Sequence, residues 1–273
     1  MTNTTTDLIV SDIHGFFNPL QKIAHIPEFN QMRLVFLGDF IDRGQDSLAV
    51  LQYIQNAVKT SNALAIRGDH EDLLLGYLFG DRSDQKLYLQ NGGETTLINL
   101  LGAAYDVQNI KQNQTLIKDR YSDLIQFIES LPYFYQDEHR LYVHGGIYPQ
   151  GLAATSDFDK TWLREDYWFQ THHWNERHSL GYLTRREVPN FGHNPVAQTI
   201  VTGHTITTMI YGKVPESQGK IKTYGQQKAP VLAIEYENEA PRIFIDGGSY
   251  IYSNLNFLKL DPLGKVQNVY QLD

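Results

Sequence analysis

The sequence predicts an α/β fold in which two mixed β-sheets pack face to face with helices on their outer faces, four layers in all. Three observations lead there. The first third of the chain alternates strand with helix; residues 71–131 read as mostly helical; and beyond residue 195 short strands dominate. Superimposed on this order are five polar motifs, each at the end of an apolar run. LIV precedes Asp12-Ile-His14, RLVFL precedes Gly38-Asp39-Phe-Ile-Asp42-Arg43-Gly44, ALAI precedes Arg67-Gly68-Asp69-His70-Glu71, RLYV precedes His144-Gly145-Gly146, and TIV leads into Gly203-His204-Thr205. Side chains just past the carboxyl ends of buried strands converge on one edge of a sheet, so residues far apart in sequence can share one site.

Taken in order, strand Leu8 to Ser11 leads into a helix near Asn18 to Ile26, with Pro19 suited to its first turn. Strand Arg33 to Leu37 is followed by a helix from Ser47 to Lys59, where Leu48, Leu51, Ile54 and Val58 fall at helical spacing, and then by strand Ala63 to Ile66. This βαβαβ pattern predicts parallel early strands with right-handed crossovers. A helical insertion around 71–131 carries apolar positions such as Leu73, Leu97, Leu124 and Ile128, after which strand returns at Leu141 to Val143. Strands are expected at Thr199 to Val201, Val231 to Glu235, Arg242 to Ile245, Asn256 to Leu260 and Val266 to Tyr270, with turn signals at Asn238 and Pro262-Leu-Gly264. These late strands are expected to form a second sheet facing the first.

At 273 residues, with no Pro/Gly/Ser linker, the chain is expected to be a single domain, because the five motifs run from residue 12 to residue 205 and one site would need most of it. There is no cysteine, so any metal must be held by carboxylate, imidazole, amide or water. The start MTNTTTDLIV lacks the basic and long apolar segments of a signal peptide, and no run of about 18 apolar residues occurs, so a cytoplasmic protein without a membrane partner is expected. A net charge of −8 without a Lys/Arg cluster argues against nucleic acid as a partner.

The motif residues suit phosphoester hydrolysis. An anionic nucleophile must approach an anionic phosphate while an alkoxide leaves; two divalent cations about 3.5–4 Å apart meet both demands, supplying a hydroxide and neutralising phosphate oxygens. Such a pair needs five or six ligands with one able to bridge, and Asp12, His14, Asp39, Asp69, His144 and His204 supply six. Mixed carboxylate and imidazole without thiolate favours manganese, iron or zinc over calcium. Arg43, in a Gly-bounded turn, can give a planar fork to two phosphate oxygens. His70 can stand beside the metals and protonate the leaving oxygen, with Asp42 orienting its ring. The competing reading for Arg43 and His70 is a structural salt bridge or capped turn. His172 and His173 are adjacent, so they lack the spacing of a metal pair, and the aromatic-rich TWLREDYWFQTHHW reads as core packing plus one arginine.

Together DIHG, GDFIDRG, RGDHE, HGG and GHT resemble the bacterial branch of the phosphoprotein phosphatase family of metallophosphoesterases, and NGGETTL at 91–97, LPYFY at 131–135 and IDGGSY at 245–250 are similar to further segments of it. The resemblance covers roughly residues 8–260 and implies a calcineurin-like metallophosphoesterase sandwich. By that resemblance Asp12 and His14 bind one metal, Asp39 bridges, and Asp69, His144 and His204 bind the other, with manganese the first expectation. Arg43 would bind phosphate, His70 with Asp42 would form the proton-donor pair, and Arg164 of TWLRED would be a second phosphate-binding arginine. The family places Asp246 and Tyr250 near the site.

One position departs from the family, which has Asn where this chain has Asp69. A carboxylate adds charge and, when ionised, donates nothing, so weaker phosphate affinity is expected. The substrate implied first is a phosphoserine or phosphothreonine protein; the alternatives are symmetrical dinucleoside tetraphosphate (Ap4A) hydrolysis or a degenerate phosphoprotein-binding module.

Overall fold

A computed structural model describes residues 5–164, 172–177, 183–188, 193–210, 219–226 and 228–273. Its strands are β1 (Asp7–Val10), β2 (Arg33–Phe36), β3 (Leu64–Ala65), β4 (Phe134–Gln136), β5 (Arg140–Val143), β6 (His172–Arg177), β7 (Leu183–Val188), β8 (Thr199–Thr202), β9 (Lys220–Tyr224), β10 (Val231–Glu235), β11 (Arg242–Phe244), β12 (Leu255–Leu260) and β13 (Val266–Leu272). The helices are α1 (Phe17–Gln21), α2 (Ser47–Thr60), α3 (Asp69–Phe79), α4 (Arg82–Gln90), α5 (Glu94–Leu101), α6 (Ile110–Arg120), α7 (Ser122–Ser130), α8 (Asp157–Trp162), α9 (Thr207–Ile210) and α10 (Ser249–Tyr252).

Two mixed sheets flanked by helices make the metallophosphoesterase sandwich that the sequence predicts. The first sheet has the order β13-β12-β1-β2-β3 and the second β4-β5-β8-β11-β10-β9, while β6 and β7 form a separate antiparallel pair. β1 runs parallel to β2, placing Ile9 opposite Val35, and β2 parallel to β3. In the second sheet β8 is parallel to both β5 and β11. Alternation along the strands sorts the core into layers. Ile9, Val35 and Leu258 meet Tyr142, Val201 and Ile243 between the sheets. Leu8, Val10 and Phe36 point the other way, onto the helices. Both faces of the central strands are therefore buried, which is why these strands read as unbroken apolar runs.

Two expectations are corrected, and one strand is added. The late strands do not all join the second sheet: β12 pairs antiparallel with β1 and carries β13 outside it. The apolar Leu255–Leu260 segment, buried along nearly its whole length, suits a place beside β1 inside the first sheet. The helix expected from 18 to 26 is only α1 followed by a 3₁₀ turn at Lys22–His25, ended where Ile26 precedes Pro27 and must leave the helical region. β9 went unpredicted because it is an edge strand, exposed at most positions with the polar sequence KIKTY. Residues 165–171 of the TWLREDYWFQTHHW stretch lie outside the described residues.

At the amino ends of the strands a buried ion network joins the two sheets. Arg33 donates from Nε and Nη2 to the two oxygens of Asp7, each at 2.8 Å. Across the sandwich Arg140 Nη1 stands 2.9 Å from Asp7 Oδ2, and the Tyr142 hydroxyl donates to the same oxygen at 2.5 Å. Arg140 also donates from Nε and Nη2 to Asp137.

Candidate active site

All five motifs emerge at the carboxyl ends of β1, β2, β3, β5 and β8 and are tied to one another through the main chain. Asp12 N–H donates to Gly38 O at 3.1 Å, His14 N–H to Asp39 O at 2.9 Å, and Gly203 N–H to His144 O at 2.9 Å. The turns are tight enough that Asp12, His14, Asp39, Asp42, Arg43 and His204 all adopt left-handed φ values between 48° and 72°. Non-glycine residues pay strain there, and such strain concentrates at functional sites. Gly203 is required by close approach: a Cβ on it would collide with the Asp12 carboxylate.

The carboxylate and imidazole groups cluster as the sequence pattern requires. Ligand atoms of Asp39, Asp69, His144 and His204 lie within 4.8 Å of one another, as do those of His14, Asp39 and His70. Asp39 belongs to both groups. His14 Nε2 is 3.6 Å from Asp39 Oδ2 and 4.0 Å from Asp12 Oδ1. Asp12, expected with His14 as a ligand, belongs to neither group; it accepts from the Ser11 hydroxyl and from His204 N–H, and His70 stands in the second group instead.

Ring orientation favours metal binding. Nδ1 of His14 faces Ile41 O at 2.9 Å and Nδ1 of His144 faces Leu37 O at 2.6 Å. Donating there puts a proton on Nδ1 and turns Nε2, the nitrogen able to bind a cation once deprotonated, toward the carboxylates. His204 sets Nδ1 2.9 Å from Asp69 Oδ1, while its buried Nε2 has no hydrogen-bond partner among the described residues.

The electrostatics show excess acid held in a dry place. Burial, and then Asp246, push Asp12 well above the usual carboxylate range. Burial first and Asp39 among its neighbours push Asp246 up to about 6. Burial also works against Asp39 and Asp69, but neighbouring imidazoles, led by His144 for the first and His204 for the second, hold both well below that range. Burial, with Arg164 adding to it, takes His204 down to about 4. A divalent cation relieves such a cluster, because it satisfies several carboxylates and imidazole lone pairs at once.

Beside the cluster lies a hydrogen-bonded pair. His70 Nδ1 is 2.7 Å from Asp42 Oδ2, both fully buried. Burial alone would lower His70, but Asp39, the Asp42 hydrogen bond and Asp69 outweigh it and push it up to about 9. Arg43 spans the site, Nη1 2.5 Å from His14 Nε2 and Nη2 2.9 Å from His70 Nε2. Those contacts need lone pairs on both imidazoles, the reverse of the proton the acids place on His70. The acids are charged and close, so the protonated form prevails and the Arg43 contact is the weaker constraint. The Tyr250 ring covers the guanidinium at 4.2 Å and meets the His14 ring edge-on at 5.4 Å. Arg164 Nη1 donates to His204 O at 3.1 Å.

Every residue singled out in the sequence is thus gathered at this edge, Arg164, Asp246 and Tyr250 included. Sequence reasoning missed the part played by Glu71. Its fully buried carboxylate accepts from the N–H groups of Asp39 (2.9 Å), Phe40 (2.8 Å) and Gly68 (2.9 Å), pinning the second motif to the third. Its place three residues after Gly68, at the start of α3, is the capping position that could have revealed it. Tyr88 and Thr96, which contact Asp42, were missed as well.

Two mixed sheets with carboxylates and imidazoles gathered where strands end are the arrangement of the metallophosphoesterase class. The chain belongs to the calcineurin-like phosphoesterase family, whose sequence profile matches residues 8–207. It is 42% identical over 77 residues to a symmetrical bis(5'-nucleosyl)-tetraphosphatase of Legionella pneumophila strain Corby, a match spanning 27% of each chain. Against serine/threonine-protein phosphatase 1 of Salmonella typhimurium strain LT2 the identity is 39% over 88 residues, covering 32% of this chain and 38% of that one. The chain thus aligns with well under half the length of these relatives. In fold it is similar to a metallophosphoesterase from Sphaerobacter thermophilus, with a TM-score of 0.54 at 13% identity over 99% of this chain and 89% of the other.

Proposed function

We propose that this metallophosphoesterase is a phosphomonoester hydrolase acting on phosphoserine and phosphothreonine proteins. Asp12, His14 and Asp39 would hold one divalent cation and Asp39, Asp69, His144 and His204 a second, with manganese the first choice for a mixed oxygen and nitrogen set and iron or zinc next. The inward-facing Nε2 atoms of His14 and His144 and the Nδ1 of His204, 2.9 Å from Asp69 Oδ1, support that assignment. Cations held there would neutralise phosphate oxygens and make water nucleophilic at neutral pH.

The chain's own residues supply the rest. Arg43 offers two parallel N–H groups to a phosphate, and Arg164 adds a second positive charge beside His204. His70, oriented by Asp42, protonates the departing oxygen from Nε2. That pair, 2.7 Å apart and sealed from water, is the observation that carries the reading. A serine alkoxide is a poor leaving group and needs a proton, whereas a nucleotide phosphate leaves with far less help.

In the manganese-loaded protein, His70→Asn is expected to lower the ratio of phosphoserine-peptide to p-nitrophenyl phosphate turnover by about 100-fold, the usual worth of a placed general acid. Equal losses on both substrates would remove the acid role. The Legionella pneumophila relative, named for symmetrical tetraphosphatase activity, favours a second reading in which Ap4A is the substrate. Parallel turnover of a phosphopeptide and Ap4A separates the two.

A further inference from the structure

Thr96 of the sequence motif NGGETTL and Tyr88 just before that motif both contact Asp42 of the Asp42–His70 pair. Asp42 is fully buried and spends one oxygen, Oδ2, on His70. Its other oxygen, Oδ1, accepts from the Tyr88 hydroxyl at 2.8 Å and from the Thr96 hydroxyl at 2.6 Å. Thr96 Oγ1 in turn accepts from Asp42 N–H at 2.9 Å and lies 2.9 Å from Ser47 Oγ. A hydroxyl has one proton and two lone pairs, so with its proton given to Asp42, Thr96 must accept from Ser47. The wiring has a single direction.

The helical segment builds this arrangement around two glycines. Tyr88 lies near the end of α4 and Thr96 in the first turn of α5, so the turn between them sets their separation. Gly93 lies flat against the Tyr88 ring, where any side chain would collide with it. Gly92 O accepts from Arg43 N–H at 3.3 Å, fixing the turn that carries both Asp42 and Arg43. Tyr88 is fully buried and packs on the Tyr77 ring at 5.3 Å. Burial, and then Asp42, push its phenol well above the ordinary range, so it remains a donor.

We propose that Tyr88 and Thr96 are positioning residues for proton donation: by occupying Oδ1 they fix the Asp42 carboxylate plane, and through Oδ2 the orientation of the His70 ring. This rests on the reading of His70 as the acid. A buried carboxylate with one empty oxygen would turn to find partners, and the imidazole would turn with it. The segment between the third and fourth motifs is then part of the catalytic apparatus rather than a cover over it.

The test uses the manganese-loaded full chain with Tyr88→Phe, Thr96→Val, Thr96→Ser and, as reference, His70→Asn. The readout is the ratio of phosphoserine-peptide to p-nitrophenyl phosphate turnover, with thermal melts to establish folding. Tyr88→Phe and Thr96→Val are each expected to lower that ratio about tenfold, at the lower end of what loss of an orienting partner costs. Thr96→Ser, which keeps the hydroxyl, is expected to restore it. If His70→Asn lowers the ratio while Tyr88→Phe and Thr96→Val leave it unchanged, the positioning role is overturned and the acid role stands. A Thr96→Ser variant as impaired as Thr96→Val overturns it equally. If His70→Asn itself leaves the ratio unchanged, the acid role falls and the positioning role with it.

Discussion

The two ends of the sandwich treat buried charge in opposite ways. At the amino ends of β1, β2 and β5, Asp7 and Asp137 face Arg33 and Arg140, with the Tyr142 hydroxyl completing the set. Past the opposite, carboxyl ends of the strands, Asp12, Asp39, Asp42, Asp69, Glu71 and Asp246 crowd together with Arg43 and a set of histidines. Both clusters bridge the two sheets. The first is matched in charge and stands on regular strand backbone. The second has more acids than its cations match and stands on turns with left-handed φ. One end is built to hold the sheets together; the other keeps an unmet demand for positive charge, which is what a divalent metal site requires.

The comparison breaks most directly by exchanging one carboxylate at each end. Asp39→Asn is expected to lower p-nitrophenyl phosphate turnover by more than about 100-fold, beyond what loss of an outer partner costs, while the cation-free protein at pH 8 and above, where the proton on His70 is being lost, falls less in melting temperature than Asp7→Asn. Asp7→Asn should do the reverse. Leaving Arg33 and Arg140 without their shared carboxylate costs about 3–5 kcal/mol, a fall in melting temperature of about 10 °C for a chain of this size. Turnover per folded molecule should stay within about twofold of the parent. Turnover and thermal melts on both variants decide it, and a loss of activity in Asp7→Asn as steep as in Asp39→Asn would erase the distinction.

Smaller, and specific to the motif end, is a dependence of stability on pH. His70 ordinarily titrates near 6.5 and is pushed up to about 9, and His144 moves in the same direction. The folded state therefore keeps protons that the unfolded chain releases. This stability is complete below pH 6.5 and is lost as pH rises through about 9. Glu71, pushed up to about 7 by burial and then by Asp39, has the same sign over its own range. The lowered groups, His14, His204, Asp39 and Asp69, act below pH 6.5 and leave this window alone. For His70 the fall is of the order of 3 kcal/mol. A bound divalent cation would substitute for the lost protons, so chelated protein should melt progressively lower from pH 6.5 to 9 while protein loaded with manganese changes less. Equal slopes with and without metal would count against cation binding at this cluster.

The same contrast explains what could be read from the sequence. The motif end was legible because its residues sit consecutively at strand ends, in spacings that point to chemistry, and the strands before them are apolar on both faces. The amino-end network was not: Asp7, Arg33 and Arg140 carry no local pattern, and their pairing exists only once β1 and β5 face each other across the core. Tyr88 and Thr96 were hidden for a like reason, since a hydroxyl on a helix reads the same whether it meets solvent or a buried carboxylate. β9 was missed because an exposed edge strand lacks the apolar run that reveals a central one. The placement of β12 beside β1 is a question of topology, and its apolar sequence would have suited either sheet.

The finest prediction concerns the one motif residue that departs from the family pattern. Asp69 Oδ1 lies 3.1 Å from His144 Nε2 and 2.9 Å from His204 Nδ1, a hub between the two imidazoles. An asparagine could leave its carbonyl oxygen at that hub and offer an amide N–H in place of the second carboxylate oxygen. The exchange removes one negative charge from a site that must receive an anion and adds one donor to it. Asp69→Asn is therefore expected to lower KM for a phosphopeptide by about three- to tenfold, the net worth of one hydrogen bond, while raising the manganese concentration needed for half-maximal activity. Measuring KM at saturating manganese separates the two effects. A KM that stays the same or rises there would mean that the second carboxylate oxygen does not face the phosphate, and that the extra acid serves the cations alone.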